Sequence, residues 1–124
     1  MTYRRALAAI VVLALVARVI VVLATPGFKA VSDSGDFDRI AVSLVDHGSF
    51  PRSYLTPNGG PTAFRPPLFP IALAAAYELT GTGSATTRWD AGRIMEAVLG
   101  AITVLLIGLL AERVVGRRVA LIAA

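Results

Sequence analysis

The chain has 124 residues, 56% of them apolar, and a mean hydropathy of +0.71. Ordinary soluble domains run about 45–50% apolar, so an integral membrane protein is the class to expect. A net charge of +4, carried almost wholly by arginines that are dispersed or flank apolar runs, fits anchoring to anionic headgroups; with no basic stripe interleaved with aromatics, it excludes a nucleic-acid module.

In chain order, residues 1–5 carry Arg4 and Arg5 and lead into the apolar run Ala6–Ala24, which is close to the ~20 residues a helix needs to cross a bilayer. Its one charge is Arg18. A charge within a span costs about 2.5–3.5 kcal/mol at mid-membrane on insertion scales and marks a functional site by default. The alternative is snorkelling toward the end of the helix, since only six residues separate Arg18 from Ala24. A cleaved signal peptide is a rival for this stretch, with Val22-Leu23-Ala24 as its cleavage site. The length of the run and the interruption at Arg18 argue against it.

Residues 25–90 form a polar loop. Asp33-Ser34-Gly35-Asp36 reads as a helix start, with Asp33 as cap and Asp36 in the first turn, where negative charge suits the helix dipole. Phe37, Ile40, Ala41, Leu44 and Val45 then recur with helical spacing on one face. Asp38, Arg39, Ser43 and Asp46 lie off that face, and Gly48 ends the helix. The result is a short amphipathic helix on the outer membrane surface. Residues 49–63, with Pro51, Pro57, Gly59, Gly60 and Pro61, predict an irregular loop. Prolines 66, 67 and 70 open a second short helix, tolerated in a first turn that loses no donor, and Gly81 ends it. Residues 83–87 read as a connector. Tyr77 and Trp89 suit an interfacial belt.

Asp90 caps the second span, expected over residues 91–113, whose apolar part Ile94–Ala111 holds one charge, Glu96. Arg113, Arg117 and Arg118 follow. The positive-inside rule puts them and Arg4 and Arg5 in the cytoplasm, and so places the 25–90 loop outside. Residues 114–118 become a cytoplasmic turn and Val119–Ala124 the start of a third span. A rival count makes Leu68–Thr80 a crossing. Its 13 residues give only about 20 Å of helix against a ~30 Å hydrocarbon core, it carries Glu78, and it would throw the arginines outside. The fold class is therefore an all-α, multi-pass protein of the cell membrane.

Candidate chemistry lies in the loop. Asp33, Asp36 and Asp38 are either a solvated helix cap or carboxylates usable as a general base or metal ligand. Arg65 can meet a phosphate bidentately or bind lipid headgroups. Arg93 has Glu96 three residues on and Asp90 three residues back as partners. His47 stands without a neighbouring His or Cys. No cysteine is present, so there is no disulfide framework or thiolate zinc site, and no metal site is predicted. No cofactor is readable.

The order Asp33-Ser34-Gly35-Asp36-Phe37-Asp38-Arg39-Ile40-Ala41, Gly48-Ser49-Phe50-Pro51, Thr62-Ala63-Phe64-Arg65-Pro66-Pro67-Leu68-Phe69-Pro70, then Gly100 through Gly116-Arg117-Arg118-Val119-Ala120-Leu121-Ile122-Ala123-Ala124, resembles the N-terminal part of the GT-C superfamily of integral-membrane glycosyltransferases. The nearest branches are the protein-mannosyltransferase-like and aminoarabinose-transferase-like ones. The resemblance implies a first span, an outer loop with two juxtamembrane helices, and further spans. It implies an activity: transfer of a sugar from a polyprenyl-phosphate carrier to an acceptor at the outer membrane face. It also implies that a loop aspartate deprotonates or positions the acceptor. Asp36 matches that position best, and Asp33 is the second candidate. Where some branches carry another acid, this chain has Arg65. Arg65 and Arg18 are the candidate ligands for phosphate or lipid. The partners implied are membrane lipid, the lipid-linked sugar donor and an acceptor the sequence does not identify. The other reading is a small non-enzymatic two-span protein, an assembly partner or transporter subunit.

Overall fold

The computed structural model describes residues 2–53, 58–61 and 64–124. Five helices form: α1 (Tyr3–Ala24), α2 (Asp33–His47), α3 (Leu68–Thr80), α4 (Ala85–Val115) and α5 (Arg117–Ala123). No sheet forms among the described residues; an isolated antiparallel bridge joins Arg52 and Pro61. Of the irregular loop expected over residues 49–63, residues 54–57 and 62–63 lie outside the described residues.

The chain divides into two packed units, Met1–Pro26 with Ile94–Ala124, and Gly27–Arg93. In the first, α1 and the later part of α4 run antiparallel. The Tyr3 hydroxyl donates to the Gly108 carbonyl at 2.7 Å, and the Leu7 side chain lies against Gly108. Fifteen residues along α1 from Tyr3, the Arg18 side chain lies on Gly100. Buried Ala97, Ala101, Val104 and Gly108 recur at intervals of four, three and four, which is one helix face. Small residues on that face let the backbones approach. Both α1 and α4 are long and apolar enough to cross a membrane, and only a small share of either is covered by protein.

In the second unit α2 packs on α3. Ile40 and Ala41 face Leu73, Ala74 and Tyr77, all buried, and Phe37 meets Phe69 edge-on with centroids 5.0 Å apart. Gly48, at φ 65°, stops α2 as its N–H bonds the Leu44 carbonyl at 3.0 Å. The apolar face of α2 is thus largely spent on α3.

Three local expectations are corrected. Asp33 is the first helical residue of α2 and the cap position falls to Ser32. The connector over residues 83–87 is instead a helix start. The Ser84 Oγ accepts the Thr87 N–H at 3.4 Å, so α4 begins at Ala85 and Asp90 lies in its second turn, paired with Arg93 at 3.3 Å. Tyr77 is no belt residue: at 2% exposure it is among the most buried side chains of its unit.

Candidate functional site

The first turn of α2 carries the site. Ser34 Oγ accepts the Val31 N–H at 3.0 Å and donates to the Val31 carbonyl at 2.8 Å, fixing the entry of the chain into the helix. Ser32, just before Asp33, has φ 53°, a left-handed conformation that a non-glycine residue adopts at a cost. The two carboxylates that follow, Asp33 and Asp36, are one turn apart and project together.

Arg65, from the segment leading into α3, meets both. Its Nε donates to Asp36 Oδ2 at 3.0 Å, and its Nη2 donates to Asp33 Oδ1. Its guanidinium carbon lies 5.3 Å from the Phe37 ring centroid and 5.0 Å from that of Phe64, so two aromatic faces steady it. Arg39 takes the other Asp36 oxygen: Nη2 donates to Oδ1 at 2.9 Å, while Nη1 bonds the Arg52 carbonyl at 3.1 Å. Asp36 is therefore gripped on both oxygens, whereas the Asp33 side chain is 72% exposed. Partial burial pushes the Asp36 carboxyl up, but the hydrogen bonds from Arg39 and Arg65 outweigh it and hold the group below the ordinary aspartate range. The same contacts, Asp36 first and Asp33 second, raise Arg65. Asp36 is a fixed anion. As an acceptor of hydrogen bonds it is well placed; as a proton acceptor it is weak.

The structure thus brings three of the four sequence candidates together: Asp33, Asp36 and Arg65. Arg18 belongs to the helical unit of α1 and α4. Its Nη1 donates to the Ala14 carbonyl at 3.0 Å, so the side chain turns back along α1, away from Ala24, which is opposite to the direction the snorkelling alternative requires. Among the described residues no group of three or more His, Cys, Asp or Glu side chains is arranged to hold a metal.

Sequence reasoning passed over a second cluster. Asp38, placed on the polar face of α2, is 8% exposed. Arg88 grips it with two prongs, Nε to Oδ1 and Nη2 to Oδ2, each 2.9 Å, and the Tyr77 hydroxyl donates to Oδ1 at 2.9 Å. Arg88 Nη1 also bonds the Thr82 carbonyl at 2.9 Å. The guanidinium lies 5.7 Å from the Trp89 ring centroid, whose ring meets Phe28 edge-on. Burial pushes Asp38 up. The hydrogen bond from Arg88 outweighs it, helped by that from Tyr77, and the carboxyl sits below its ordinary range. The Trp89 indole nitrogen is buried and meets no partner at full hydrogen-bond geometry, so the Arg88 and Tyr77 contacts account for the lowering. The available signal was Asp38 itself, three residues before buried Ala41 on the helix. Arg88, in a Thr-rich stretch, carried none.

No family model, no curated protein and no solved structure matches this chain. The likeness to the GT-C enzymes rests on the residues quoted for it.

Proposed function

We propose that the chain is the N-terminal part of a membrane glycosyltransferase that moves a sugar from a polyprenyl-phosphate carrier to an acceptor at the outer membrane face, with the Gly27–Arg93 unit at that face. One observation supports the reading above others. Arg65 reaches back 29 residues to Asp36 and 32 to Asp33, so the residues singled out for acceptor and phosphate chemistry form one cluster.

In this reading Asp36 positions the acceptor. Held ionised by Arg39 and Arg65, it accepts a hydrogen bond from the incoming hydroxyl or amine and orients its lone pair toward the sugar carbon. Arg65 has guanidinium N–H groups beyond those spent on Asp36 and Asp33, and these meet the leaving phosphate as its bond to the sugar carbon breaks; the departing polyprenyl phosphate takes the acceptor proton as the new bond forms. The carrier lipid and these residues share the headgroup level, so the sugar need not leave the membrane surface.

The test is transfer from a polyprenyl-phosphate sugar by the full-length enzyme in vesicles, followed against pH. With Asp36 held below its ordinary value, the acid limb of kcat/KM is expected below the ~3.9 of free aspartate, or to be absent down to the limit of folding. An acid limb near neutrality, lost in Asp36→Asn, would assign a raised-pKa base and overturn the positioning role. The second reading, a non-enzymatic assembly partner, is favoured by one observation only: Arg18, a charge within an apolar helix that forms no ion pair among the described residues.

A further inference from the structure

Arg18 raises a question that sugar transfer does not answer. In the 22-residue apolar helix α1, its guanidinium bonds the Ala14 carbonyl, one turn back toward Tyr3. Ala14 is ten residues from Ala24. At 1.5 Å per residue that is about 15 Å, half of a ~30 Å hydrocarbon core. The charged head therefore sits near mid-depth, aimed away from the nearer end of its helix.

The head is also seated. A Cβ added to Gly100 would stand 2.6 Å from the Arg18 Nε and 3.3 Å from its guanidinium carbon, so the side chain lies directly on the bare backbone of α4. One carbonyl takes one N–H, and among the described residues no carboxylate pairs with the group. On the flanks of α1, Val12, Leu13, Val16, Ile20 and Val21 are exposed, which leaves the face open to another helix.

We propose that Arg18 is an assembly site, which receives the carboxylate of a single Asp or Glu placed at mid-depth on a partner membrane helix. Charge and depth together choose that occupant. A lipid phosphate lies about half a bilayer away, at the level of the headgroups. A second copy of this chain offers α1, whose apolar run has no acid, and α4, whose one acid in the apolar stretch, Glu96, already has a partner. A carboxylate at the same depth as Arg18 neutralises it without dragging a headgroup inward or pulling water into the core. The inference is independent of the sugar-transfer reading, and holds or fails without it.

The experiment reconstitutes the full chain in phosphatidylcholine vesicles with a fluorescent leucine–alanine helix bearing one central Glu, or Leu in its place, and reads association by energy transfer. The Glu probe is expected to bind about five- to thirty-fold more tightly than the Leu probe, the range polar pairs give in model membrane helices. Arg18→Leu should erase that preference. Because this change makes α1 more apolar, the loss is not a failure to insert. Gly100→Leu, which pushes the guanidinium off its seat, should weaken it. Equal binding of both probes, or a Glu preference that survives Arg18→Leu, would overturn the proposal. So would displacement of the probe by phosphatidic acid, which would make Arg18 a lipid-phosphate site. Self-association of the chain lost alike in Arg18→Leu and Glu96→Gln would overturn it in favour of a second copy.

Discussion

Arg88 and Asp38, fifty residues apart, meet as a two-pronged ion pair with both nitrogen–oxygen distances at 2.9 Å. The carboxylate is on α2 and the guanidinium on the first turn of α4, and Tyr77 of α3 bonds the same carboxylate. The contacts made from these three helix segments converge on one buried anion.

Removing one partner of a buried pair strands the other. Asp38→Asn should destabilise the Gly27–Arg93 unit by about 3–5 kcal/mol, read as loss of hydrogen-exchange protection in α2 and α3. Replacing both partners, Asp38→Leu with Arg88→Met, should recover much of that loss, because well-packed apolar pairs replace buried ion pairs at little cost. A double variant as unstable as the single one would mean that the pair is needed for more than its own neutrality.

The lowered Asp36 and Asp38 carboxyls link this unit to pH. A group depressed in the folded state adds stability that is present above its unfolded value, about 3.9, and is lost as pH falls through the folded one. Stability should therefore be flat through neutrality and fall only in the acid range, below about pH 4. Asp38→Asn should remove its share of that acid dependence and leave the part carried by Asp36. A transition between pH 6 and 8 would point to a titrating group other than these two carboxyls.

Topology follows from the arginines. The chain has no cysteine, so single cysteines at Asn58 and Val115 report cleanly. A membrane-impermeant thiol reagent should reach them from opposite sides, with Asn58 outside. Labelling from one side would support α3 as a crossing.

The helices were legible because apolar runs, helical spacing and stop glycines are local signals. Gly48 and Gly81 follow the last residues of α2 and α3, as read from the sequence. The Asp36–Arg65 cluster was legible only as separate residues on two segments. Nothing in the spacing of 29 positions says that Arg65 turns back onto α2. Asp38 was misplaced on a solvated face because an isolated aspartate reads as exposed until its counter-ion is known, and Arg88 was indistinguishable from a surface charge. The α4 start was read too late for the same reason: Ser84 and Asp90 are both good caps, and the choice depends on what the intervening turns pack against.

The most direct test of the sugar-transfer reading is turnover by full-length Asp36→Asn. This change keeps the side-chain shape and removes the charge. Without the charge that Arg39 and Arg65 grip, the acceptor loses its seat, and transfer should fall by about 10²-fold, the cost of a misplaced reacting group. Arg39→Gln, which removes one of the two grips on Asp36 but leaves the carboxylate, should keep most activity. Asp46→Asn should keep nearly all of it, since Asp46 bonds only the Thr82 hydroxyl among the described contacts and an amide oxygen can replace that acceptor. Normal transfer by Asp36→Asn with loss in Asp33→Asn would move the role to Asp33. Normal transfer by both would contradict a catalytic role for this helix start.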